Sequence, residues 1–494
     1  MPRKVIISRL HTGVPGLDAI LGGGLPELSF NLILGSPGTG KTTLAHQIMF
    51  ALATPKRPAL FFTVLGEPPL KMLRYQQQFT FFDFAKLNES IHFVNLNDEV
   101  AMGKFEQVLA SISAEIDAFS PALVFIDSFG AALQEGPATL LNEISRQQLI
   151  HQLGIYLSTC QATTFLIGEF LSERIKLPIL TVADGILSLE QIVYRNSMVR
   201  KIQVLKMRGQ APSPGLHPFR ITRDGLATFP TAPIQDDSGA NTPVKAEAHN
   251  RKRLSMGVPG LDAMLDGGLP SGYSLLVAGP SGSGKTLLAT AFLAEGVQQG
   301  EAGIMVAFEQ TPSQSLPRTI DEMVRAGQIG LINTRLPDLS IDEIVQQLTA
   351  MIHRLRAKRV VIDSLSGFEL AIAPSFREDF RESLFRMVAM LANLGVTVLM
   401  TSELEDRYTD LRFSPYGSAF LTDAIIVQRY IEVESRLKRV VAVVKVRGSK
   451  HSNEIRQFEI TNSEIVIGER VEDYDGLLCG QPIRARVVHR SNEE

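Results

Sequence analysis

Short apolar runs rich in β-branched and aromatic residues punctuate the chain: FNLILG, ALFFTVL, LVFID and TTFLIG in the first half, YSLLVAG, GIMVAFE, RVVID and VTVLMTS in the second. Longer segments with helical spacing, such as LAHQIMFALA and FRESLFRMVAMLANL, separate them. A parallel strand covered by helices on both faces reads as a continuous apolar run rather than as an alternation. The pattern therefore predicts βαβ units: an α/β fold built on mostly parallel, twisted sheets flanked by helices.

The pattern occurs twice. TGVPGLD at Thr12 to Asp18 returns as MGVPGLD at Met256 to Asp262, an offset of 244 residues (256 − 12) that holds without a gap from there to Pro68 against Pro312. LGGGLP aligns with LDGGLP and GSPGTGKT with GPSGSGKT; VFIDS (Val124 to Ser128) and VVIDS (Val360 to Ser364) follow, then KMRG (Lys206 to Gly209) and KVRG (Lys445 to Gly448). So long a period signals a duplicated domain rather than a solenoid repeat. FPTAPIQDDSGANTPVKAEAHN lies between the halves and reads as a solvated linker. The expected division is a first domain over 1–230, a linker over 231–250, a second domain over 251–470 and a C-terminal segment and tail over 471–494.

At 494 residues, with 45% apolar and 20% charged positions, the chain can bury a sizeable core in each half. A formal charge of −3 supplies no global field toward nucleic acid or anionic membranes. Cys160 and Cys479 stand alone, without CxxC spacing, which argues against a disulfide framework or a zinc site. The N-terminus lacks a signal-like apolar stretch, and no run of about 18 apolar residues follows. A cytoplasmic protein without membrane contact is the expectation.

Gly35 to Thr42 and Gly279 to Thr286 match the P-loop spacing, each after a predicted strand and before a predicted helix. Gly35, Gly38 and Gly40, with Gly279, Gly282 and Gly284, let backbone N–H groups curl around phosphates. Lys41 and Lys285 reach the outer phosphates, while Thr42 and Thr286 offer hydroxyls to Mg2+; Thr43 and Leu287 continue each helix beside the nucleotide. Asp127 and Asp363 end apolar strands where a carboxylate can hold the water shell of Mg2+. ATP and Mg2+ are the expected cofactors. Hydrolysis also needs a carboxylate to orient water. VAFEQTP supplies Glu309, but the gapless offset puts Leu65 at that position and moves the nearest glutamate to Glu67.

With GVPGLD, the paired P-loops, the strand-end Asp and KxRG all present twice, the chain resembles double-domain KaiC proteins over nearly its full length. That resemblance implies two tandem RecA-like P-loop domains, a homohexamer of two stacked rings, and ATP held between neighbouring subunits. Lys206, Arg208, Lys445 and Arg447 would then act on the neighbour's γ-phosphate, in the manner of an arginine finger. It further implies a KaiB-like or other signalling protein as partner. Clock members are also serine/threonine autokinases and autophosphatases, yet Ala419 and Phe420 occupy the acceptor positions here, which leaves Ser418 as a shifted candidate phosphoacceptor.

The favoured reading is an ATPase whose turnover drives a conformational or signalling cycle. A DNA-acting RecA-like ATPase is disfavoured by the acidic balance and the lack of an appended basic module. A nucleotide-dependent scaffold is the third reading, motivated by Leu65. The Phe-rich stretch from Phe79 to Leu87 is expected to serve core or intersubunit packing.

Overall fold

The computed structural model describes residues 7–64, 69–87, 89–96, 105–128, 140–169, 179–194, 197–231, 251–308, 317–333, 339–372, 374–377, 380–404, 422–461, 464–472, 474–479 and 483–484. The chain forms two compact units, Met1–Pro233 and Ile234–Glu494.

In the first unit nine strands make one sheet, in the order Gly225–Thr228, His217–Thr222, Ser197–Met207, Gly185–Tyr194, Phe30–Gly35, Thr163–Gly168, Leu123–Asp127, Ala59–Thr63, Ile91–Asn95. The six from Gly185–Tyr194 onward pair in parallel, and the remaining three are added antiparallel. Strand residues alternate between two cores because successive side chains point to opposite faces. Ile33, Phe61, Phe125 and Phe165 pack with Leu44 and Ile48 of the helix Lys41–Leu52. Leu32, Leu60, Phe62 and Ile126 pack with Ile112 of Phe105–Phe119 and Leu153 of Leu140–Thr159.

The second unit repeats this order: Ile465–Arg470, Ile455–Ile460, Arg436–Val446, Ala424–Val433, Ser274–Gly279, Thr397–Glu403, Arg359–Asp363, Gly303–Ala307, Ile329–Asn333. Its helix Lys285–Gln298 covers one face, while Ile341–Leu355 and Phe380–Asn393 cover the other. The expected RecA-like architecture is thus present twice.

The GVPGLD motifs turn out to be structural. Asp18 accepts hydrogen bonds from the Thr12 amide (2.9 Å) and hydroxyl (2.7 Å), and Asp262 accepts from the Met256 amide (2.7 Å) and the Ser255 hydroxyl (2.6 Å). Each carboxylate closes the turn that leads into the first helix. The Phe-rich stretch packs on the core: the rings of Phe81 and Phe82 lie tilted against Phe50, although Phe84 near its end is exposed.

Candidate functional site

Both P-loops sit at the carboxyl ends of their central strands. Gly40 (φ 101°) and Gly284 (φ 98°) start the two helices in a backbone region that side chains rarely enter. A Cβ at either position would meet Ile221 Cδ1 at 2.5 Å or Ile460 Cδ1 at 2.8 Å. Lys41 Nζ donates to the carbonyls of Gly35 (2.8 Å) and Ser36 (2.9 Å), and Lys285 Nζ to those of Gly279 (2.8 Å) and Pro280 (2.7 Å). Burial lowers the pKa of both lysines, opposed by nearby carboxylates: Glu169 and Asp127 around Lys41, Glu403 and Asp363 around Lys285. Thr43 and Leu287 are half-buried one residue further along each helix.

The strand-end aspartates differ between the domains. Thr42 Oγ1 donates to Asp127 Oδ2 at 2.6 Å, and burial pushes the Asp127 carboxyl up to about 6 against the pull of Thr42 and Lys41. Asp363 instead accepts a short hydrogen bond from the Thr401 hydroxyl. In both domains the chain leaves the strand after the P-loop helix beside this aspartate: Val64 N–H donates to the Asp127 carbonyl (3.0 Å) and Phe308 N–H to that of Asp363 (3.2 Å). Glu67, Glu309 and Ser418 lie outside the described residues.

The KxRG residues are held at the other end of the sheet. Lys206 pairs with Ile186, and Asn31 pairs with Gly185 at the start of the P-loop strand, whereas Gly35 pairs with Leu189. Arg208 bonds Asp184 (3.2 Å), whose other oxygen accepts from the Phe30 amide (3.0 Å). From Phe30 to Gly35 is five strand steps, about 17 Å at roughly 3.3 Å each. Lys206 Nζ donates to the carbonyls of Leu180 (3.1 Å) and Thr181 (3.0 Å), and burial lowers its pKa, helped by Arg208. The second domain matches: Lys445 Nζ donates to the Thr422 carbonyl (2.7 Å), Arg447 lies 3.9 Å from Asp423, and Asp423 accepts from the Ser274 amide (3.2 Å).

This duplicated architecture, with P-loops at one sheet end and basic KxRG strands at the other, is matched by the family model of the KaiC ATPase over residues 10–232 and again over 254–472. The chain belongs to the KaiC family of ATPases. Among curated relatives, the circadian clock oscillator protein KaiC of Picosynechococcus is 26% identical over 98% of this chain and 94% of its own length. That of Rippkaea orientalis is 27% identical over 98% and 93%, and the circadian clock oscillator protein KaiC 1 of Synechocystis 26% over 99% and 95%. No helix among the described residues is long and apolar enough to cross a membrane.

Two pairs of residues in this KaiC-family chain escaped the sequence reading. Asp184 and Asp423, which anchor the KxRG arginines, each stand 22 positions before their KxRG lysine (206 − 184 and 445 − 423), a spacing that could have exposed them. Glu169 and Glu403 each close the apolar run next to the P-loop strand, TTFLIGE and TVLMTSE, and went unremarked because a glutamate after a strand is usually a solvated loop residue.

Proposed function

We propose that this chain binds and hydrolyses ATP at two sites, each completed by a neighbouring copy of the same chain, and that turnover drives a conformational cycle of a homohexamer of two stacked rings. The observation that carries this reading is the placement of KxRG at the sheet end opposite its own P-loop. Arg208 and Arg447 are too far from their own phosphate sites to serve them, so a phosphate role for these residues requires a second subunit. The P-loop amides and Lys41 or Lys285 hold the phosphates, and Glu309 orients the attacking water at the second site. Thr42 with Asp127, and Thr286 with Asp363, are hard-oxygen donors suited to Mg2+ and would hold it. When bound, that ion would neutralise charge developing on the phosphates.

The test mixes two variants inactive at the second site, both carrying Lys41→Ala to silence the first. Lys285→Ala keeps its arginine and loses its phosphate lysine, whereas Arg447→Ala does the reverse. Co-assembled with ATP, the pair should release phosphate faster than the sum of the two measured separately. A mixture that never exceeds that sum would refute a trans contribution from Arg447.

A further inference from the structure

At the first site the usual place for a water-orienting carboxylate is filled by Leu65 and Gly66, while another carboxylate stands at the phosphate pocket. The strand Thr163–Gly168 runs between the P-loop strand and Leu123–Asp127. Gly168 is level with Leu34, so the next residue, Glu169, emerges beside Gly35, the first residue of the P-loop. Its Oε1 lies 3.7 Å from Lys41 Nζ, with Lys41 8% and Glu169 27% exposed. Lys41 is the side chain that must meet the outer phosphate. A carboxylate held against it lies at the rim of the γ-phosphate position, on the side of Asp127.

An anion at that place opposes the binding of a polyanion, so its presence costs nucleotide affinity. General-base chemistry requires a carboxylate within one water of the reacting phosphorus, and Glu169 stands against the lysine that would hold that phosphate. The second domain supports this through contrast. Glu403 is in direct register with Gly279, yet it is exposed, and the sequence of that domain carries Glu309 two positions after Ala307.

We propose that Glu169 is the catalytic carboxylate of the first ATP site, released from Lys41 when the γ-phosphate takes that lysine over. A water oxygen then forms a bond to the γ-phosphorus as the bond from phosphorus to the β,γ-bridging oxygen breaks. ADP departs with that electron pair, and the water's proton passes to the Glu169 carboxylate before reaching solvent. The proposal rests on the ATPase reading given above.

The experiment uses the full-length chain carrying Lys285→Ala, so that phosphate release and calorimetric ATP binding report the first site. Adding Glu169→Gln should cut phosphate release about 100-fold or more, while ATP binds at least as tightly, by about threefold through loss of the competing anion. Adding Glu67→Gln should leave turnover within about twofold, as expected of a solvated loop residue. The proposal is overturned if Glu169→Gln keeps its turnover, if Glu67→Gln abolishes it, or if Glu169→Gln loses ATP binding and so proves merely structural. If Lys285→Ala binds ATP without turnover while the unmodified protein hydrolyses it, this proposal is overturned and the ATPase reading stands on the second site. Absence of turnover in the unmodified protein would instead remove the ATPase reading itself.

Discussion

His46 shows how one side chain separates the two domains. It sits fully buried in the P-loop helix with both ring nitrogens unpartnered, its imidazole edge-on to Phe61 at 4.6 Å between centroids. Burial pushes its pKa from 6.5 down to about 3. The unfolded chain therefore binds a proton between those two values that the fold refuses. Stability is complete above pH 6.5 and is lost as the pH falls toward 3, by about 1.4 kcal/mol per unit at most. The position 244 residues on is Thr290, whose hydroxyl is satisfied by the Thr286 carbonyl (2.8 Å). Acidification from pH 7.5 to 5 should lower the denaturation midpoint of the unmodified first domain more than that of His46→Leu, a comparison that cancels the opposite effect of Asp127, whose raised pKa favours the fold as the pH falls. Equal slopes for the two proteins would sink this account. At the same scale, Glu309→Gln should reduce phosphate release about 100-fold at the second site without loss of ATP binding, measured with Lys41→Ala silencing the first. The placement of Lys41, Lys285, Thr42 and Asp127 about their loops was legible in the sequence because the backbone spacing of a P-loop leaves so few alternatives. Glu169 was not, since its meaning comes from the strand beside it.

Among the elements, the parallel strands announced themselves as unbroken apolar runs, whereas the antiparallel additions did not. Arg436–Val446 and Ser197–Met207 carry half-buried lysines and arginines on both faces, Lys438 beside Arg439 and Arg200 beside Lys201, so they lack that signature. Their basic ends are fixed by strand pairing and by Asp184 or Asp423, neither of which periodicity reveals. Asp184→Ala should leave the Arg208 side chain held only by the Thr181 carbonyl and the Phe30 amide without its acceptor, lowering stability by about 1–3 kcal/mol. Chemical denaturation should register that loss, and an unchanged midpoint would show the anchor to be dispensable. The P-loop helix depends on its first turn in another way. Gly40→Ala would place a Cβ against Ile221 at a φ of 101°, costing about 1–3 kcal/mol of strain. Calorimetry should find ATP binding at the first site weakened at least tenfold, with the second site unaffected.

For the whole molecule, duplication was legible from the gapless offset, but the divergence between the copies required the structure. Both sheets have the same strand order, yet Asp127 bonds Thr42 whereas Asp363 bonds Thr401. Assembly should depend on nucleotide, since ATP would lie between subunits. Size-exclusion chromatography with ATP and Mg2+ should show a hexamer that dissociates on dilution without nucleotide, and a hexamer indifferent to ATP would count against interfacial sites. On the proposed reading, the separation of P-loop and KxRG across each sheet would also govern how copies join. Each domain would offer a basic strand at one end of its sheet and a P-loop at the other, so contact would be head-to-tail rather than two-fold. An open chain of subunits would leave unfilled half-sites at both tips. Closing the circle would add complete sites with no added subunit, so ATP would reward closure over growth.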